Sequence, residues 1–527
     1  MFVFCFKLII LLSYINGLEY SNKGKTRAKG TKVVIWDKEI LFLVSFAFYS
    51  IILLIVGKSR TQQKDTLRHF YLGNRKLSLF RTTLTFIGTW VSAATVLGFT
   101  GNVFESGLAP LLYSVVPWFF GAFLLYKISD RLYEYDVLTI PELIGKKYGS
   151  KWLQFFFALV MMVTYTLYII IHIKGFGLVA AGLFHIPYHV ATLMIYLFIL
   201  YSTFGGYRAV TRIDVAHVLL LTAGTVCVYY LVVDKSGGML ELFHKAGEIS
   251  GFAHSGSTAA NEPGDLFQLF DGERFTPRMS TTMFFGWGLG LASNPQYMVR
   301  MLSAKDKPTA RKTVKSALCY LALFYFFLLT IGLGMRVLFP SLPEVANADD
   351  IVVYILNDSL FTPLNTFFLF AVLGACVSTA NSQLLLFSTS FAYDVIRPLC
   401  PKPPREYTTI LLTRLGVLLG GTLSLLFSTH PPASLLSYGG DIWGIFGVIF
   451  FPTLYGAFLY RKATREGAWA ALLVGLAAIA AFYPLYYRQV LPVHPAFPGT
   501  VLSSLGFFLV SRITWKGGEA DASKANL

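Results

Sequence analysis

The stretch Ala375-Cys376-Val377-Ser378-Thr379-Ala380-Asn381-Ser382-Gln383 sets three hydroxyls and two amides in an otherwise apolar segment. Ser378 and Ser382 are four residues apart and share a helix face, with Thr379 beside them. Hydroxyls offer neutral oxygen, which suits a sodium ion: like other hard cations it takes oxygen ligands. They do so without the cost of burying a carboxylate. If the backbone opens here, the carbonyl of Ala375 joins them. The competing reading is that each hydroxyl bonds back to a carbonyl one turn earlier, as is common in membrane helices.

Two acids stand in or beside apolar runs. Asp214 lies in FGGYRAVTRIDVAH and Asp441 in SYGGDIWG. An ionisable residue at membrane depth is a functional candidate. The alternatives are that Asp214 pairs at the interface with Arg208 or Arg212, and that Asp441 is a wetted helix-end residue rather than a gating or proton-linked group. His172 and His217 read as polar contacts between helices sooner than as proton relays. The five cysteines, Cys5, Cys227, Cys319, Cys376 and Cys400, contain no CxxC and read as packing residues. No GxxxxGK[ST] pattern occurs, so no ATP-hydrolysing part is expected. The nine histidines are scattered, and no water-facing catalytic cluster is expected.

The elements that carry these residues follow from composition. Of 527 residues, 55% are hydrophobic and 14% charged, against about 25% charged in soluble domains. The apolar runs are continuous rather than alternating, which excludes a β-barrel and leaves an all-α integral membrane protein. Runs of roughly 20 apolar residues give about thirteen spans: 39–57, 82–101, 109–128, 152–173, 177–201, 213–233, 281–299, 316–338, 364–390, 407–429, 435–459, 467–486 and 497–512. The net charge of +16 reflects loop topology rather than nucleic-acid binding, and no nucleic-acid partner is expected. Loops rich in Lys and Arg, such as the one holding Arg300, Lys305, Lys307, Arg311, Lys312 and Lys315, alternate with poor ones. The connection around Lys174 is poor, and 339–362 is acidic, with Glu344, Asp349 and Asp350. This positive-inside pattern places the C-terminus in the cytoplasm of a multi-pass cell-membrane protein.

Spans two to six and seven to eleven are two sets of five. Five is odd, so the second set starts from the opposite side, as in an inverted repeat. The first span of each set is rich in small residues: GTWVSAATVLGFTG from Gly88 to Gly101, and GWGLGLASNP from Gly286 to Pro295. Paired interruptions of this kind mark transporter sites, where unwound backbone frees carbonyl oxygens. Close packing through small residues is the alternative for either span alone.

The resulting division is an extension at 1–33, a leading helix at 34–57, a first five-helix repeat at 82–233, an extracellular loop at 234–280, a second repeat at 281–459, two trailing helices at 460–512 and a cytoplasmic tail at 513–527. Residues 1–33 carry Lys23, Lys25, Arg27, Lys29 and Lys32 on the side expected to be external. They read as a cleaved signal peptide or as sequence upstream of a true start near Val33 or Val34.

Seven strings in order resemble the sodium:solute symporters, the superfamily of sodium–glucose, proline and pantothenate carriers. They are YLGNRKLS at 71–78, SAATVLGFTGNVFESGL at 92–108, LTIPELIGKKYG at 138–149, FGGYRAVTRID at 204–214, NPQYMVRMLSAKD at 294–306, VSTANSQLL at 377–385 and YGAFLYRKATREGAWAALLVG at 455–475. The resemblance implies a leucine-transporter-like fold of two inverted five-helix repeats, and sodium-driven symport of a small solute by alternating access. It implies a principal sodium site of the backbone oxygens of Gly88, Val91 and Ala375 with the hydroxyls of Ser378 and Thr379. A second sodium site would use Asp214, Ser378, Asn381 and Ser382, with Asn381 where some members carry a hydroxyl.

Substrate-lining candidates are Trp90, Ser92, Thr95, Phe99, Trp287 and Asn294. Ala94 and Thr95 stand where sugar carriers have a carboxylate and an amide, which disfavours a sugar. Trp90 stands where proline carriers have an acid. FGGYRA, IPY at 186–188 and HPAFPG at 494–499 look closest to the pantothenate and monocarboxylate branches, so a small organic acid is the leading expectation. A proline or other amino-acid symporter, or a proton-coupled carrier on the same fold, is the alternative. A channel, a sensor and a membrane enzyme are the rival classes, and the oligomeric state is not legible.

Overall fold

The computed structural model describes residues 66–516, apart from 254–261, 343–346, 431 and 433, together with a few residues between 44 and 56. The extension at 1–33, most of the leading helix at 34–57 and the tail beyond Lys516 lie outside the described residues. Those described between Val44 and Val56 are helical.

Helices make up the described chain, with only two isolated bridges, Leu77 to Ala304 and Ser250 to Pro263. The elements that matter for the site are α1 (Leu79–Trp90), α2 (Ala94–Ser106), α3 (Leu111–Glu134), α4 (Lys151–Phe184), α5 (Tyr188–Thr203), α6 (Gly206–Lys235), α7 (277–293), α8 (Pro295–Leu302), α9 (Lys307–Leu338), α10 (Pro363–Ser390), α11 (Glu406–Phe427), α12 (Leu435–Leu459), α13 (Arg465–Tyr487) and α14 (Ala496–Thr514). Side-chain caps fix several starts: Ser150 for α4, Asp306 for α9 and Thr362 for α10 each accept from a backbone N–H of the first turn.

Among the described residues, nine helices are long and apolar enough to cross a membrane, and ten when the bent pair α1–α2 counts as one span. The expected thirteen is not reached by this measure. Helix α5 has 16 residues, α7 and α8 are separated by a break at Asn294, and the leading helix is mostly outside the described part.

One boundary differs from expectation. The sequence suggests a connection around Lys174, but α4 continues unbroken to Phe184. Lys174 is buried in mid-helix, and its ammonium donates to Asp349 at 2.7 Å. Pairing removes the need for a loop there. The turn comes instead at 185–187, where His185 takes a left-handed backbone and Pro187 precedes α5. Helix α6 likewise starts earlier than expected, at Gly206, so Asp214 lies more than two turns inside it.

Helix α10 is the centre of the bundle: its most apolar window is wholly buried, whereas α13 and α14 leave two thirds of theirs open. It packs against α4, α6, α1, α5 and α11. This explains why its hydroxyls meet protein rather than lipid.

Candidate cation and substrate site

The expected interruptions are breaks. Helix α1 stops at Trp90, Val91 is extended (φ −76°, ψ 113°), and α2 leaves at 61° to α1. Helix α7 stops at Ser293, and Asn294 is extended (φ −75°, ψ 121°) before Pro295. Pro295 explains the second break: it lacks an N–H, and its ring drives the preceding residue out of the helical region. Asn294 then caps α8, its carbonyl oxygen accepting from Gln296 N–H at 3.1 Å.

A helix end leaves its last four carbonyls without intrahelical donors. At the end of α1 one of them, Ile87, is bonded by Val91 N–H, and Trp90 O receives the Thr95 hydroxyl at 3.3 Å. Gly88 O and Val91 O turn toward α10. Thr379 Oγ1 lies 3.2 Å from Gly88 O, 3.4 Å from Val91 O and 3.1 Å from Ala375 O. Ser378 Oγ lies 3.4 Å from Gly88 O and 3.1 Å from Ala375 O. All five residues expected at the principal site therefore converge, and all are buried or glycine. A hydroxyl has one proton, so Thr379 can satisfy only one of the three carbonyls around it. The excess lone pairs suit a small cation.

The second expected group is brought together only in part, and Asp214 Oδ1 there has no hydrogen-bond partner among the described residues. Asp214 is fully buried and paired with Arg300, Nη2 to Oδ2 at 3.2 Å. It also accepts from the Thr85 hydroxyl, while the same Arg300 nitrogen donates to Ser382 Oγ. Asn381 turns away: its Oδ1 accepts from Ser202 at 2.7 Å and Thr203 at 3.3 Å. The pairing of Asp214 with Arg208 or Arg212 is corrected too. Sequence reading counts Arg300 among loop charges, yet it is among the largest fully buried side chains. The missed signal is its place within the apolar run Tyr297–Leu302.

The substrate candidates cluster around the breaks. Trp90 packs edge-on to Trp118 and Tyr297, with ring centroids at 6.5 and 5.6 Å, and donates its indole N–H to Tyr325 OH at 3.0 Å. Trp287 sits edge-on between Trp118 and Trp443, at 4.8 and 4.9 Å. Phe99 packs on Tyr325 at 5.4 Å, and Ser92 and Thr95 are buried beside the first break. Trp118, Tyr297, Tyr325 and Trp443 complete this aromatic enclosure and escape sequence reading, because aromatics in apolar spans look like packing. Among the described residues, the indole N–H groups of Trp118 and Trp287 and the amide nitrogen of Asn294 have no hydrogen-bond partner.

Two of the other titratable candidates, Asp441 and His217, have polar partners. Asp441 accepts from Tyr487 OH at 2.9 Å and meets His494 Nε2 at 3.1 Å. His217 meets Tyr49 OH at 3.0 Å, a polar contact between helices as expected, whereas His172 packs on Tyr168 of its own helix and neither of its ring nitrogens has a hydrogen-bond partner among the described residues, so the expected polar contact is not found for it.

The sequence profile of the sodium:solute symporter family matches residues 70–475. This chain is a sodium:solute symporter. It is 26% identical to the osmoregulated proline transporter OpuE of Bacillus subtilis over 492 residues, covering 91% of this chain and 96% of the relative. It is 26% identical to a sodium/proline symporter of Staphylococcus aureus, covering 91% and 95%. Among solved structures, a Na+-coupled sialic acid symporter in a substrate-bound outward-open state superposes with a TM-score of 0.70 at 17% identity, over 90% of this chain and 97% of that one. The nucleobase-cation-symport-1 family transporter Mhp1 superposes at 0.54 with 13% identity, over 89% and 100%. The symporter shares their fold, is a sodium-coupled multi-pass membrane transporter, and is not an enzyme. Its named relatives favour the amino-acid alternative and lend no support to pantothenate or a monocarboxylate.

Proposed function

We propose that this symporter imports proline or a closely similar small zwitterionic amino acid with sodium, by alternating access. The observation that carries the sodium half is the Thr379 hydroxyl set among three carbonyls 3.1 to 3.4 Å away, with Ser378 beside it. The relatives' names support the substrate, and the chemistry of the enclosure is compatible with it. Trp90 supplies no carboxylate for a substrate amine. The faces of Trp90, Trp118, Trp287 and Trp443 supply a cation–π surface instead, worth about 2 kcal/mol when desolvated. The unpartnered N–H groups of Trp118, Trp287 and Asn294 are donors for the substrate carboxylate.

In this reading sodium neutralises the excess carbonyl oxygen at the first break and fixes α1 against α10, which sets the wall of the enclosure. Coupling follows if sodium binds the substrate-competent state more tightly. An inward-negative potential contributes about 2.3 kcal/mol per charge per 100 mV, roughly fiftyfold accumulation of a net-neutral solute with one sodium. The proposal extends to the topology. The leading helix, α5 and the broken α7–α8 supply the crossings beyond ten, residues 82–233 and 281–459 form the inverted repeats, and the C-terminus is cytoplasmic.

The test is uptake of labelled proline, betaine, pantothenate, lactate and sialic acid into proteoliposomes under an imposed sodium gradient. Proline should accumulate only with the gradient. Sodium-driven uptake of pantothenate or lactate without proline would overturn the substrate assignment.

A further inference from the structure

Trp287, on α7 in the aromatic enclosure, has no hydrogen bond to fix its ring: its indole N–H is without a partner among the described residues. Packing has to hold it. On one side it lies on bare backbone of α12, where a Cβ on Gly439 would stand 2.6 Å from the ring and one on Gly440 2.9 Å from its Nε1. The next residue of α12 is Asp441, whose Oδ1 meets His494 Nε2 at 3.1 Å. His494 lies in the connection between α13 and α14 and is wholly buried. Its backbone N–H donates to Thr282 Oγ1 of α7 at 3.0 Å, and its Nδ1 accepts from Ala496 N–H at 3.3 Å. Accepting at Nδ1 puts the ring proton on Nε2, which donates it to Asp441. Asp441 is held in turn by Tyr487 OH of α13 at 2.9 Å. So oriented, the imidazole lies against Gly286, where a Cβ would stand 2.7 Å from its Cε1. Gly286 is the residue before Trp287, so a shift of the α7 backbone there carries the indole with it.

We infer that Asp441 and His494 are positioning residues for Trp287, and that through them the trailing helices α13 and α14, outside the two proposed repeats, take part in substrate recognition. The inference rests on the substrate reading proposed above. The pair acts on α7 at Thr282 and Gly286, and α7 supplies no oxygen to the Gly88–Thr379 cluster. Its loss therefore weakens substrate binding and spares the sodium site.

The test is uptake of labelled proline by the full chain in proteoliposomes, with KM at saturating sodium and half-saturating sodium at saturating proline read separately. Asp441→Ala removes the acceptor of the Nε2–H, and Asp441→Asn keeps it. Thr282→Val leaves the pair in place, removes only its link to α7 and serves as the second variant. KM should rise about tenfold in Asp441→Ala and about threefold in Thr282→Val, and stay within about twofold in Asp441→Asn, with half-saturating sodium unchanged throughout. In a Trp287→Phe background Asp441→Ala should add less than about twofold, because effects that act through one group are not additive. A KM within about twofold of wild type in Thr282→Val or in purified Asp441→Ala, a parallel rise in half-saturating sodium, or an undiminished rise in the Trp287→Phe background would overturn the inference and leave the substrate reading standing. No sodium-driven proline uptake by the wild type would refute the substrate reading and the inference with it.

Discussion

Replacing Thr379 by Val exchanges one hydroxyl for a methyl of the same shape, so packing inside α10 is disturbed little. The oxygen lost is the one nearest the centre of the cluster, facing Gly88 O, Val91 O and Ala375 O. A hydrogen-bond-like contact to a charged group is worth about 1.5–3 kcal/mol. Removing one such ligand should therefore raise the half-saturating sodium concentration roughly 10- to 150-fold. Ser378→Ala should act in the same direction and less strongly, since its hydroxyl faces only Gly88 O and Ala375 O. The assay is initial uptake of labelled substrate in proteoliposomes at increasing external sodium, with thermal unfolding measured in parallel. An unchanged sodium dependence in a folded Thr379→Val protein would refute the assignment of these five oxygens.

Two further outcomes test the surroundings. A Cβ on Gly175 of α4 would stand 2.3 Å from the Cβ of Ala93, within the first break. Gly175→Ala should push that break out of register and abolish most sodium-driven uptake while the protein still inserts and purifies; uptake equal to wild type would show that the break tolerates displacement. Trp118→Phe keeps the ring against Trp287 but removes the unpartnered indole N–H. It should raise the substrate KM roughly tenfold, the effect of one charge-assisted hydrogen bond, with sodium affinity unchanged, as read from substrate saturation at high sodium.

The helical class, most span positions and both breaks are legible because they follow from residue types alone. Long apolar runs, the Asn294-Pro295 pair and the small residues after Gly88 act locally. The clustering of Ser378 and Thr379 with Gly88 and Val91 was available only through the family resemblance, since nothing local says that α10 is the buried centre of the bundle. Three features escaped for a common reason. Lys174, Arg300 and the tryptophans Trp118 and Trp443 each depend on a partner far away in sequence: Asp349, Asp214 and, for both tryptophans, Trp287. A charge read without its partner looks like a loop residue, and an aromatic read without its cage looks like packing.

The two ends of the bundle are closed by contacts of different strength, which bears on how the cycle runs. At one end Leu77 N–H donates to Ser303 O at 3.2 Å, Lys305 N–H to Leu77 O at 3.0 Å, and Tyr133 OH to Ala304 O at 3.0 Å. The ion pairs there, such as Arg311 with Asp130, are half exposed and can exchange partners with water at little cost. At the other end Lys174 and Asp349 are buried, and Asp349 Oδ2 also accepts from Leu435 N–H at 2.9 Å. Stranding one member of a buried pair costs about 3–5 kcal/mol. Asp349→Asn therefore destabilises the state closed at this end more than an open state in which Lys174 is hydrated. Lys174 has interactions besides Asp349, the attraction of Asp350 among them, so no more than the smaller end of the range applies, and a gain of about tenfold in the open population is expected. Cys376, fully buried on the face of α10 that meets Gly175, next to Lys174 on α4, reports this opening once the other cysteines are replaced by alanine. A polar maleimide should modify it about tenfold faster in Asp349→Asn than in the parent protein. Equal rates in a variant of unchanged thermal stability would show that the Lys174–Asp349 pair is not the contact that holds this end shut.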